Sequence, residues 1–217
     1  MPSYLDKVDL FAGLDPAQLE TLAQNARLRT FQHGAIVVSE GDDAHGLFVV
    51  QSGSLKCFLM DENGREVTLS LLGPGEYFGE LALIDEAPRS ASVLALERSE
   101  LLQIQRPVFL ALLDENPACV RVLLKNLATR VRSLTDNVRA LALVDVFGRI
   151  ARLFDSLAVM RDGVPVIEQR LTQQEIANLV GASREMVNRI LRDLAVGGYI
   201  SIENHQIVLR RKLPARW

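Results

Sequence analysis

Between Arg29 and Leu102, short apolar runs rich in β-branched residues alternate with glycine-bearing breaks. The runs are AIVV, GLFVV, LKCFLM, EVTLSLL, SASVLAL and ELLQI; the breaks carry Gly34, Gly41, Gly46, Gly53, Asn63-Gly64, Gly73 and Gly75. Many short strands at regular spacing predict a small barrel or sandwich, and Asn63-Gly64 between two runs predicts a hairpin. Ahead of this region, Asp15 to Ala26 has Pro16 where a helix can begin and Leu19, Leu22 and Ala23 at helical spacing. Behind it the period changes. From Pro107 to Leu143 there is no glycine, and only Pro117 interrupts. Beyond that proline, Val120, Leu124, Leu127, Val131, Leu134, Val138 and Leu141 recur at alternating intervals of four and three. Such a stripe can pack a helix on its own barrel. The narrow seam, with Arg130, Arg132, Asp136 and Arg139 on other faces, favours parallel pairing with a second copy of the chain.

Asp145 reads as the N-cap of a further helix, VFGRIARLFDSLAVM, which makes residues 142–145 a hinge. Arg161-Asp162-Gly163 turns the chain; VPVIE and YISIENHQIVL read as strands, the latter folded as a hairpin around Glu203-Asn204. Between them lies LTQQEIANLVGASREMVNRILRDLAVGGYI. Thr172 and Glu175 have the spacing of a capping box, and Ile176, Leu179 and Val180 form an inner face beside small Ala177. Gly181 ends that helix, and Ser183 caps a second whose inner residues are Val187, Ile190, Leu191 and Leu194. Two short helices joined by a tight glycine turn are a helix-turn-helix. Arg184, Glu185, Asn188 and Arg189 then point outward near the start of the second helix, where a recognition helix meets base edges, with Ser183 near phosphate. A merely solvated polar face is the blander account of the same residues.

Charge sharpens the division. Residues 1–145 hold 13 Lys and Arg against 20 Asp and Glu, whereas residues 146–217 hold 11 against 7. Only the C-terminal part suits a polyanion. Nowhere do 18 apolar residues run together, and MPSYLDKVDL lacks a signal-peptide layout, so a cytoplasmic protein without a membrane partner is expected. Two cysteines and three histidines without ligand spacing predict neither a disulfide framework nor a metal site. The chain has no Ser/His/Asp set and no Walker loop, so no catalytic residues are assigned.

Residues 77–93, YFGELALIDEAPRSASV, set Glu80 and Arg89 among Phe78, Leu81, Leu83 and Val93. Charges in such surroundings need partners. Either the two satisfy each other in an internal salt bridge, or both await a small ligand carrying a hydroxyl and a phosphate.

These stretches together resemble the Crp/Fnr family of bacterial transcription regulators over nearly the whole chain, and within it the cyclic-AMP receptor branch. FGELALIDEAPRSASV is similar to the family's phosphate-binding cassette, SREMVNRIL to its recognition helix and LVDVFGRI to its hinge and following helix. The resemblance implies an α+β fold: an N-terminal β-roll cyclic-nucleotide-binding domain (1–117), a dimerisation helix and hinge (118–145), and a C-terminal winged helix-turn-helix DNA-binding domain (146–217). It implies cyclic AMP, or another cyclic nucleotide, as effector and no metal. The expected ligand residues are Phe78, Gly79, Glu80, Leu81, Arg89, Ser90, Leu134 and Thr135. Glu80 would accept from a ribose hydroxyl, Arg89 would pair with the cyclic phosphate, Ser90 would add a hydroxyl, and Gly79 would let the backbone approach.

Expected DNA residues are Thr172, Gln174, Ser183, Arg184, Glu185, Asn188 and Arg189, acting on a TGTGA-like inverted repeat. Partners are therefore double-stranded DNA, a second copy, and RNA polymerase if the protein activates. Rival readings keep the scaffold but change the ligand to cyclic GMP or a cyclic dinucleotide, or let DNA bind without ligand. A cyclic-nucleotide-binding regulatory subunit leaves the helix-turn-helix unexplained. The sequence departs from the family twice. Two adjacent hydroxyl residues contact adenine in cyclic-AMP receptors, and here the pair reads Leu134-Thr135. Met186 stands where the best-known member has threonine.

Overall fold

The computed structural model describes residues 2–161, 163–169, 171–203 and 206–213. The chain opens with helix α1 (Pro2–Leu5), a single 3-10 turn (Asp9–Phe11) and helix α2 (Pro16–Gln24). Eight strands follow: β1 (Ala26–Phe31), β2 (Ile36–Val38), β3 (Gly46–Ser52), β4 (Leu55–Met60), β5 (Glu66–Leu72), β6 (Tyr77–Phe78), β7 (Ser92–Ala95) and β8 (Ser99–Gln105), with the short helix α3 (Leu81–Ile84) between β6 and β7. Helices α4 (Arg106–Glu115), α5 (Pro117–Leu143) and α6 (Val146–Leu157) come next. The chain closes with β9 (Val159–Arg161), β10 (Val164–Ile167), α7 (Gln173–Val180), α8 (Arg184–Val196), β11 (Ile200–Glu203) and β12 (Gln206–Leu209). The fold is α+β, a β-roll followed by a long helix and a winged helix-turn-helix.

Two compact units share the chain. The first holds residues 1–61 and 68–132; the second holds 62–67 and 133–217, so α5 contributes to both. In the first, one sheet runs β1-β8-β3-β6 and the other β2-β7-β4-β5. Strand alternation sends β3 to two cores at once. Leu47 and Val49 face a cluster with Phe11, Phe109, Cys119 and Leu123 from the helices, whereas Phe48 and Val50 face one with Leu55, Leu72 and Val93 from the other sheet. β6 divides in the same way: Tyr77 joins the helical cluster and Phe78 the inter-sheet cluster, its ring stacked on Phe48 at 5.3 Å.

In the second unit the order is β11-β12-β10-β9, and Phe147, Ile150 and Phe154 of α6 meet Ile176, Val187, Leu191 and Ile207 in one core.

Several predicted bounds change. β1 and β6 lie outside the apolar runs because their outer residues are polar or the strand is only two residues long. α6 stops at Leu157, and Val159–Arg161, read as helix in part, forms the edge strand β9. The hinge narrows to Val144 and Asp145, since α5 continues to Leu143. Asp162 of the predicted turn and Asn204 of the predicted hairpin lie outside the described residues.

Candidate functional sites: a buried charged cluster and an outward-facing helix

Gly79 follows β6 with φ +88, a conformation that an L side chain strains to adopt. A Cβ there would also lie 2.1 Å from Arg89 Nη1, so glycine both makes the bend and admits the guanidinium. Arg89 is held by its own backbone, which donates to Asp42 O and accepts from Gly41 N. Its side chain is 6% exposed and donates through Nη1 to Gly79 O (2.8 Å) and through Nη2 to Gly46 O (2.7 Å). Nε has no partner. Burial lowers the guanidinium below the usual arginine range, against the pull of Glu80 and Asp42.

Glu80 is 1% exposed. Its partner is neither solvent nor Arg89 but Arg130 of α5, whose Nη1 lies 2.5 Å from Oε1. Oε2 is buried without any hydrogen bond, the one acceptor of that kind among the described residues. Burial raises the carboxyl above the ordinary glutamate range, and Arg130 and then Arg89 hold it back. The predicted alternative of an internal Glu80–Arg89 bridge therefore gives way to a Glu80–Arg130 bridge, with only the two Nη groups of Arg89 held by carbonyls. Phe78 is buried in the stack, while Leu81 and Ser90 are exposed. Leu134 and Thr135, the other two expected ligand residues, belong to the second unit's share of α5 and are exposed.

Arg130 was expected off the seam, with no part in the ligand site. It lies on a second stripe, Cys119, Leu123, Asn126 and Arg130, again spaced four, three and four, whose first two members are buried in the first unit's core. A stripe turning polar where it meets a buried carboxylate was the missed signal. The predicted seam behaves differently along its length. Leu127 packs against the first unit's own core, whereas Val131 (62% exposed), Leu134 (46%) and Val138 (65%) stay uncovered.

The second unit sets its candidate DNA residues at helix ends. Thr172 and Glu175 close a capping box on α7. Gly181, at φ +63, turns the chain, and a Cβ there would meet Leu141 Cδ2 at 2.7 Å. Ser183 caps α8 by accepting from Met186 N, and Asp145 caps α6 by accepting from Gly148 N. Arg184, Glu185 and Arg189 are exposed on α8, Asn188 is half-buried, and Thr172 and Gln174 are exposed on the preceding helix start. Gln174 already donates to Asn178, and Arg189 contacts the Met186 sulfur. Arg149 donates to the carbonyls of Leu141, Val144 and Gly181, tying the end of α5, the hinge and the helix-turn-helix turn together.

A roll with a buried charged cluster and a capped helix-turn-helix in a winged sheet fit a DNA-binding transcription regulator that carries a cyclic-nucleotide-binding domain. Family models agree: residues 28–116 match the cyclic nucleotide-binding domain and 148–213 the Crp-like helix-turn-helix domain. The chain belongs to the Crp/Fnr family. It is 32% identical over 213 residues to the CRP-like cAMP-activated global transcriptional regulator of Mycobacterium tuberculosis, covering 96% of this chain and 95% of that one. It is 36% identical over 193 residues to the cyclic AMP receptor protein of Thermus thermophilus, covering 89% and 88%. Among solved structures, the c-di-GMP responsive regulator CLP of Xanthomonas campestris matches with a TM-score of 0.79 and 27% identity, covering 91% of this chain and 100% of that one. These relatives are transcription regulators, not enzymes. No helix among the described residues is long and apolar enough to cross a membrane.

Proposed function

We propose that the protein is a cytoplasmic, homodimeric regulator whose binding to an inverted-repeat operator is favoured by cyclic AMP. The observation that carries this reading is the buried, unpartnered Glu80 Oε2, with the free Nε of buried Arg89 in the same charged cluster. A carboxylate oxygen withdrawn from water with no donor is costly and suits a ligand hydroxyl. On this reading Arg89 leaves the carbonyls of Gly79 and Gly46 for the cyclic phosphate, with Ser90 beside it and Gly79 giving close backbone approach. Phe78 and Leu81 frame the site, and Leu134 and Thr135 stand at the positions that the family resemblance assigns to the base. The uncovered Val131, Leu134 and Val138 stripe suits a second copy.

Arg184 and Arg189 would read guanines and Glu185 a cytosine in a TGTGA-like half-site, with Asn188 beside them. Thr172, Gln174 and Ser183 would sit at phosphates. As an activator the dimer would engage RNA polymerase. The functional division follows the three segments 1–117, 118–145 and 146–217. A second ligand reading has its own support: the Xanthomonas relative is described as c-di-GMP responsive, and Leu134 offers adenine no polar contact. Calorimetry with cyclic AMP, cyclic GMP and c-di-GMP tests both. Heat with cyclic AMP that weakens in Glu80→Gln and vanishes in Arg89→Leu supports the first reading; heat with c-di-GMP alone replaces it.

A further inference from the structure

The first unit fixes Arg130 more firmly than one ion pair requires. Tyr77, three residues before Glu80, receives three contacts from α5. Its carbonyl accepts from Arg130 Nη2 at 2.7 Å, its ring lies 5.5 Å from Arg130 Cζ, and its hydroxyl accepts from Asn126 Nδ2 at 3.0 Å. Asn126 stands one turn before Arg130 on the same inward stripe, after buried Cys119 and Leu123. Both Nη groups of Arg130 therefore have fixed partners, and the planar fork presents one edge to Glu80 Oε1 while Oε2 stays open. An arginine whose side chain is 41% exposed would otherwise sample several rotamers.

We propose that Tyr77 and Asn126 are positioning residues for the effector site: their hydrogen bond locks Tyr77 under Arg130, so that Glu80 is oriented with Oε2 turned to the ligand and tied to the long helix. The proposal rests on the reading that a ligand hydroxyl takes Glu80. Neither residue touches the ligand; both act through Arg130. A ligand gripping Oε2 then pulls on a carboxylate already anchored to α5, so its arrival is felt by the long helix through Arg130. Without the Tyr77–Asn126 bond, part of the ligand's binding free energy goes into ordering Arg130 and Glu80.

The test is a double-mutant cycle on the full-length protein, read by calorimetry with cyclic AMP and by carbon-detected NMR of the Glu80 carboxyl without ligand. Tyr77→Phe and Asn126→Leu should each weaken binding roughly three- to tenfold, the worth of one net hydrogen bond. The double variant should be no worse than either, and in an Arg130→Gln background Tyr77→Phe should have almost no further effect. In the ligand-free proteins Glu80 should titrate higher in both single variants, because Arg130 no longer holds it down as firmly. The other titratable groups around it, Arg89, Tyr77 and Cys57, remain in place or, for Tyr77, lose only a neutral hydroxyl. A variant that merely loosens packing would admit water to the carboxyl and move that titration the other way.

Unchanged affinity in Tyr77→Phe, an equal loss in the Arg130→Gln background, or an unmoved Glu80 titration overturns the positioning role. A wild type silent to every cyclic nucleotide overturns the reading of the site instead, and the Glu80 titration still decides whether Tyr77 and Asn126 hold Arg130.

Discussion

The two units treat charge in opposite ways. The first draws Glu80 and Arg89 out of water and gives them backbone carbonyls and one helix arginine as partners. The second spends its polar side chains on helix ends and leaves Arg184, Glu185 and Arg189 in solvent. A small ligand can be enveloped, so its site gains from a dry setting where each hydrogen bond is strong and selective. DNA cannot be enveloped; its reader must be a rigid outward face, and rigidity comes from the core and caps beneath it.

The comparison breaks most sharply at Arg89. Removing its charge with Arg89→Leu should abolish detectable cyclic nucleotide binding, a loss of roughly hundredfold or more for a charge-assisted partner. Circular dichroism should show the second unit intact. On the outward face, Arg184→Ala should cost about 1–3 kcal/mol at one operator position and relax the base preference there. Nucleotide affinity should stay unchanged. Binding-site selection and calorimetry on the same variant check both halves.

Acidity separates the units next. Burial raises the Glu80 carboxyl, so the fold prefers it neutral. Its contribution to ligand-free stability is full below the ordinary glutamate range and is lost as pH rises through the raised value. Ligand binding needs the anion and runs the other way: affinity should weaken on acidification from above the ordinary glutamate range, and Glu80→Gln should remove that dependence. A pH series of thermal melts and titrations shows whether the two slopes oppose. The smallest expected effect is a cap. Ser183→Ala removes the oxygen that accepts Met186 N and should cost about 1 kcal/mol of second-unit stability, leaving the first unit's melting unaltered.

The same contrast explains what could be read from the sequence. The helix-turn-helix was legible because its signals are local: Thr172 with Glu175, Gly181 and Ser183 all lie within a dozen residues and each cap bond closes over three. The pocket was legible only in its cassette half. Gly79, Glu80 and Arg89 stand together in the chain, but Arg130 reaches Glu80 across 50 positions. Its stripe was masked by the stronger apolar seam one residue along. β6 was missed because two residues give no period. The seam itself split, since Leu127 is covered by its own core. A dimer test is therefore cleaner at Val131, where Val131→Glu should yield monomer in sedimentation without disturbing the fold.

The central claim is that a ligand in the dry pocket governs the outward face. It is tested most directly by measuring the affinity of the wild-type protein for a TGTGA-like inverted repeat with and without saturating cyclic AMP, alongside Arg89→Leu. The account predicts tighter operator binding with nucleotide, by no more than the nucleotide's preference for the DNA-competent state, and no response in Arg89→Leu. Equal wild-type affinity in both conditions would contradict it.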